Sequence, residues 1–197
     1  MSEFFSTTRE QLLSQVRAQM HEKRYLHTLG VAESARKLAE RFGADPDKAE
    51  LAGYVHDYCK CWPIPKLHTY LLRYDLPQDI IEGEKELWHA FVGANVIQSE
   101  LEITDPEVIQ AVRYHTTGRV GMSLLEKIVC VADYIEPQRS FPGVEKIREL
   151  AVKDLDQALS EALGGTIAML IERKKTVYPL TLLAYNDLVS KGITPFE

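Results

Sequence analysis

Few cysteines, no long apolar run and no excess of positive charge characterise this 197-residue chain. Its three cysteines, Cys59, Cys61 and Cys130, are odd in number and follow no framework of spacings, which excludes a disulfide scaffold. No apolar stretch approaches the roughly 20 residues that cross a bilayer, and no charged-then-apolar leader opens the sequence. The expected setting is therefore the reducing cytoplasm, without a membrane partner. A net charge of −6 argues against sequence-independent nucleic-acid binding, which rests on Lys and Arg neutralising phosphates. A nucleotide pocket stays open to it, since two or three placed cations suffice there. Internal repeats, low-complexity tracts and interdomain linkers are also missing, and the length suits one domain with a sizeable core.

What is present is helical period from end to end. Thr7 with Glu10 reads as a capping box, followed by Leu13, Val16 and Met20 at helical spacing. A second helix from about residue 23 places Tyr25, Leu29, Ala32, Ala35, Ala39 and Phe42 on one face and stops at Gly43, a C′ glycine. Asp45-Pro46 caps a third, to about residue 56. Residues 61–77 carry three prolines and read as a loop with a short helix at about 65–74. A helix over 84–100 follows the break at Gly83, with His89, Val92, Gly93 and Val96 on one face. Asp105-Pro106 opens the next, to about His115, and the box Ser123–Glu126 opens another that ends at Pro137. Residues 128–131 taken alone would suit a strand, but the cap and the length favour a helix. Val144, Ile147, Ala151, Leu155, Ala158 and Leu159 predict one amphipathic helix closed by Gly164-Gly165, with shorter helices at 166–175 and 180–191. The expected fold is a single all-α bundle over residues 1–197, with a core at about 20–140 and helices at 144–191 added to it.

Chemistry concentrates at Tyr54-Val55-His56-Asp57-Tyr58, where an imidazole and a carboxylate adjoin at the end of an apolar helix. Helical neighbours point about 100° apart, so the two converge on an ion only if other elements complete the shell. His27, His89, His115 and Asp133 each lie on an apolar face of another helix. A lone histidine in such a place is commonly a satisfied core residue. Several over five helices strain that account, because each buried polar group left unpaired costs about 1–3 kcal/mol. A shared ion or ligand would satisfy them together. Imidazole and carboxylate suit zinc, iron, manganese or nickel rather than calcium, without choosing among them. Cys59 and Cys61 admit a thiolate ligand, although C-x-C without a second half is a weak sign.

The order His27, His56-Asp57, Asp133 resembles the H…HD…D signature of the HD-domain metal-dependent phosphohydrolases, and His89 and His115 resemble the extra pair of members with a six-residue set. The stretches Arg24-Tyr25-Leu26-His27-Thr28-Leu29-Gly30-Val31, Ala49-Glu50-Leu51-Ala52-Gly53 and Tyr114-His115-Thr116-Thr117-Gly118 are similar to the bacterial YqeK family. So are Ala132-Asp133-Tyr134-Ile135-Glu136-Pro137 with Arg139, and Tyr178-Pro179-Leu180-Thr181 with Tyr185-Asn186. The similarity thus spans nearly the whole chain. It implies an HD-domain helical bundle and an iron-dependent, symmetrical diadenosine tetraphosphate hydrolase that releases two ADP. It also implies iron ligands at His27, His56, Asp57 and Asp133, with His89 and His115 facing the phosphates or holding a second ion. Lys60 would face a phosphate, and Arg24, Thr116, Arg139 and the stretch with Tyr178, Pro179 and Thr181 would bound the nucleotide, ADP or GDP as product. Catalytic roles would fall to Asp57, Lys60, His89 and His115; either histidine, if free of metal, has the chemistry of a general acid. The Cys59-Lys60-Cys61-Trp62 context departs from that family.

The physical account agrees with the resemblance. A di- or trivalent ion offsets charge growing on the attacked and leaving oxygens and lowers the pKa of water toward about 7. Lys60, Arg24 and Arg139 would neutralise phosphate oxygens. Taken without the family, these cations suit ordinary surface positions as well as a phosphate site, and Arg173-Lys174-Lys175 reads as a solvated helix end. His21 and His68 match nothing and read as surface. A nucleotide phosphatase or triphosphohydrolase of the same superfamily is the neighbouring alternative, and a non-catalytic metal-bearing nucleotide sensor the one from another class. The helix predicted from Val144 either completes the core or forms the face of a homodimer.

Overall fold

A computed structural model of the chain describes residues 8–190, and every regular element among them is helical. Helix α1 (Arg9–Ala18) opens with Thr8 and Gln11 in a capping box. The box expected at Thr7 and Glu10 is therefore displaced by one residue, Thr7 lying outside the described residues. Helix α2 (Glu22–Phe42) starts behind His21, whose Nδ1 accepts the Arg24 N–H at 3.2 Å, and stops at Gly43 in the left-handed conformation (φ 78°). Asp45 caps α3 (Pro46–Val55) by accepting the N–H groups of Asp47 and Lys48, and His56 ends it. The short helix expected in the proline-rich stretch is α4 (Ile64–Arg73).

The following stretch is more broken than its periodicity suggests. In place of a helix from residue 84 come α5 (Gln78–Ile81), a 3-10 turn at Lys85–Leu87, and then α6 (Trp88–Glu100). Trp88 sets this start, because its buried indole N–H donates to the Ile80 carbonyl at 2.8 Å and anchors the segment on α5. Helices α7 (Pro106–Tyr114) and α8 (Leu124–Ile135) begin at Asp105 and at the Ser123–Glu126 capping box, as expected.

The C-terminal part corrects two boundaries. The single helix expected from Val144 is two, α9 (Val144–Ala151) and α10 (Leu155–Glu172), because Asp154 accepts the N–H groups of Asp156 and Gln157 and caps a new helix. Gly164-Gly165 then fails to stop α10, which runs on through the segment expected as a separate helix. A Cβ at Gly164 would lie 3.1 Å from the Tyr185 ring, so the missing side chain seats α11 (Pro179–Ser190) against α10. That packing offsets the roughly 1 kcal/mol that a helical glycine costs relative to alanine. Lys191, the expected last residue of α11, lies outside the described residues.

Helices α3 and α8 run through the middle. Every residue from Ala49 to Val55 is buried, as are Leu125, Glu126 and the run from Ile128 to Ala132. A helix apolar on all sides can be stable only when it is wrapped. Here α2 and α7 pack on both, and α9 and α10 cover the remaining side of α8. The apolar side of α9 and the first half of α10 is buried, so this region completes the core. Each fully buried Leu, Ile or Val contributes about 1.5–3 kcal/mol, against an ordering cost of about 1–2 kcal/mol per backbone residue. The result is a rigid bundle from which five helices present polar side chains at one place.

Candidate metal centre

Asp57 is the hub. Its Oδ2 lies 3.2 Å from His56 Nε2 and 3.7 Å from His27 Nε2, and its Oδ1 lies 3.1 Å from His89 Nε2 and 3.8 Å from His115 Nε2. Asp133 Oδ1, from α8, stands 3.0 Å from His27 Nε2. All six residues expected from the sequence therefore meet, delivered by α2, the end of α3, α6, the end of α7 and α8. Five of them form two overlapping triads, His27–His56–Asp57 and Asp57–His89–His115, the ligand atoms of each lying within 4.8 Å of one another, and Asp133 joins the first through His27. Arg24 donates to Asp57 Oδ2 at 2.9 Å, and Arg139 donates to Asp133 through both its side-chain carboxylate and its backbone carbonyl. Lys60 Nζ stands 3.4 Å from His89 Nδ1.

The tautomers follow from the partners. His56 Nδ1 is 2.7 Å from the Gly53 carbonyl and His115 Nδ1 is 2.7 Å from the Val112 carbonyl. A carbonyl only accepts, so both rings carry the proton on Nδ1 and leave a lone pair on Nε2. His27 Nε2 and His56 Nε2 are buried without a hydrogen-bond partner. Two orphaned imidazole nitrogens facing two carboxylates, at a cost of about 1–3 kcal/mol each if left unmet, fit a divalent transition-metal ion. Neither triad contains a cysteine, and burial raises the Cys59 thiol well above its ordinary range, which keeps it from acting as a thiolate.

Beside the centre lies a cavity of about 730 Å³ between α8, α10 and residues 139–143. His115, Thr116, Asp133 and Arg139 form its inner wall, and Tyr134, Phe141, Ile147 and Met169 give it an apolar lining. Thr116 Oγ1 is buried there without a partner. A smaller cavity of about 290 Å³, at the opposite end of α3 near Asp45 and Leu124, contains no histidine.

The sequence model of the HD domain matches residues 24–138, which spans this centre from Arg24 to beyond Asp133. The chain belongs to the HD-domain family. It is 48% identical over 182 residues to a Bacillus subtilis protein named symmetrical bis(5'-nucleosyl)-tetraphosphatase, covering 92% of this chain and 98% of that one. A Halalkalibacterium halodurans protein of the same name is 46% identical over 181 residues, with coverage of 92% and 97%. The fold is similar, with a TM-score of 0.90 at 36% identity, to a Clostridium acetobutylicum crystal structure described as a predicted HD superfamily hydrolase involved in NAD metabolism, covering 94% of this chain and 98% of that one.

Electrostatics in this HD-domain centre separate its members. For Asp57 burial opposes ionisation, yet His56 and His89 hold its pKa well below the usual carboxylate range. Asp133 follows the same pattern, with His27 and the Arg139 guanidinium outweighing burial. Burial, reinforced by charge on His56 and His89, pulls His115 down to about 3. Burial also lowers His89 and Lys60. A pH prediction follows for the metal-free protein. Above about pH 6.5, the ordinary value, His115 is neutral whether folded or unfolded. As pH falls from there toward 3, the unfolded chain takes up a proton that the folded chain refuses, and stability drops by up to about 1.4 kcal/mol per pH unit. His56, raised by Asp57 against burial, acts with the opposite sign. Urea midpoints of metal-free wild type and His115→Gln between pH 7 and 4.5 should show a shallower loss in the variant; parallel slopes would contradict the assignment.

Not every expected residue reaches the site. Tyr178 is buried against Phe91 and donates to Asp79 Oδ2 at 2.6 Å, and Thr181 is buried in the first turn of α11. Tyr178, Pro179 and Thr181 contribute no surface to the large cavity. Arg173, read as part of a solvated helix end, is exposed at the C-cap of α10 and also borders the cavity. Phe141 and Met169 escaped the sequence reading because a loop aromatic and an exposed helical Met carry no local signal. Glu136 escaped as well: its Oε1 lies 2.9 Å from His27 Nδ1, a pairing across 109 residues.

Proposed function

We infer that this chain is a metal-dependent hydrolase that splits diadenosine tetraphosphate symmetrically into two ADP. The observation that carries the reading is near full-length identity of 48% and 46% to two proteins bearing that name, together with the complete His/Asp centre at the mouth of a nucleoside-sized cavity. The donors admit several transition metals, and the resemblance to the YqeK family favours iron among them, bound by His27, His56, Asp57 and Asp133. Such an ion supplies Lewis acidity and lowers the pKa of water.

The chain's own groups do the rest. Arg24, Lys60 and Arg139 surround the centre and neutralise phosphate oxygens once a polyphosphate draws Arg24 from Asp57, Arg139 from Asp133 and Lys60 from His89. Lys60 as an ammonium can only donate, which makes His89 Nδ1 the acceptor and leaves a proton on Nε2. His89 then faces the phosphates as a donor, an arrangement that supports one ion rather than two. The leaving ADP has a terminal phosphate of pKa about 6, so it needs neutralising more than protonating. One nucleoside half fits the cavity, with its base against Tyr134, Phe141 and Met169 and the adjoining phosphate near Thr116 and Arg139.

The test is incubation of anaerobically purified, metal-assayed protein with diadenosine tetraphosphate, with products separated by ion exchange. ADP as sole product, dependent on bound iron and lost on chelation, is the expected result. Inorganic phosphate or triphosphate from mononucleotides, with the dinucleotide untouched, would replace the reading by a phosphatase or triphosphohydrolase.

A further inference from the structure

Four histidines surround Asp57, and their outer nitrogens are held differently. His56 and His115 rest on backbone carbonyls, and His89 faces Lys60. His27 alone among them rests on a carboxylate, that of Glu136, which is 1% exposed. A carboxylate so deeply buried needs its lone pairs met. Oε1 is met by His27 Nδ1 at 2.9 Å and Oε2 by the Gln138 backbone N–H at 2.7 Å. The turn that carries it is clamped from α9, where Arg148 donates to the carbonyls of Ile135, Glu136 and Arg139. On the facing helix, a Cβ at Gly30 would come within 2.8 Å of Glu136 Oε2, so α2 leaves open the space the carboxylate fills.

The geometry points to Glu136 as a positioning residue: by accepting the His27 Nδ1–H it fixes the tautomer that turns the lone pair of Nε2 to the ion. This deepens the metal-dependent reading above and rests on it. The same Arg148 clamp holds the Arg139 carbonyl, so one α9 side chain sets both the His27 support and the phosphate-facing arginine. A supporting carboxylate of this kind typically changes metal affinity by about 10–100-fold.

The test uses Glu136→Gln, which keeps shape but removes the charge and turns one of the two accepting oxygens into a donor NH2, so that His27 Nδ1–H and the Gln138 N–H cannot both be met, and Gly30→Ala, which disturbs the carboxylate while leaving Glu136 in place. Co(II) is the probe, followed by its visible absorption and by its release to a chelator. Histidine nitrogen NMR of the Zn(II)-loaded proteins reports whether His27 keeps the Nδ1–H tautomer and binds through Nε2. The expected result is a Co(II) affinity lowered about 10–100-fold in both variants, with loss of the single Nδ1–H tautomer in Glu136→Gln. A purely structural role would lower the melting temperature of the metal-free variants and leave both the tautomer and the affinity unchanged, which would overturn the inference. If Glu136→Gln does not fold, Gly30→Ala with unchanged affinity overturns it equally. Wild type that binds no Co(II) at all would instead remove the metal-dependent reading on which it rests.

Discussion

Asp57→Ala should lose activity by on the order of 10³-fold or more while keeping its helical circular-dichroism signal. Oδ2 of this one carboxylate serves His27, His56 and Arg24, and Oδ1 serves His89 and His115. Its removal takes a ligand from each triad and leaves Arg24 and the histidines without their counter-charge. The helix that carries it should survive, because α3 ends at Val55 and is held by the buried run before it. Steady-state assay, metal content and circular dichroism on the same preparation make the check. Full activity would remove Asp57 from the reaction, and metal content close to wild type would separate a chemical role from a ligand role.

Gly53→Ala should destabilise the bundle by about 3 kcal/mol and lower the melting temperature by roughly 6–12 °C. A Cβ on residue 53 would sit 2.5 Å from Ala32 Cα and 2.8 Å from Ala32 N. Both are backbone atoms, so no rotamer change relieves the clash, and α2 and α3 must move apart. The same movement disturbs the centre, since the Gly53 carbonyl holds His56 Nδ1 and α2 carries His27. Thermal melts with and without metal should show a loss in both states, larger in the metal-loaded protein. A melting temperature equal to wild type would contradict the contact.

The two substitutions separate what a local pattern reveals from what it hides. The caps at His21, Asp45, Asp105 and Ser123 start helices through hydrogen bonds to residues two or three positions on, so the starts of α3, α7 and α8 were readable in the chain. The Gly43 stop was readable for the same reason. Gly164 was misleading because a glycine in a helix either ends it or admits a neighbour, and only the Tyr185 ring on α11 decides between them. Trp88 likewise begins α6 through a bond to Ile80 that no periodicity encodes.

The amino-acid sequence by itself determined the all-α class, the starts of α3, α7 and α8, and the ordered set His27, His56-Asp57, His89, His115 and Asp133 that identifies an HD-domain centre. Those are properties of residue type and spacing, which burial and ligand chemistry constrain one position at a time. The tertiary structure alone decided that Asp57 is the hub, that Glu136 backs His27, that Phe141 and Met169 line the cavity, and that Tyr178 turns to Asp79 instead. Each of these depends on distances between side chains on different helices, and such distances are fixed by how the helices pack.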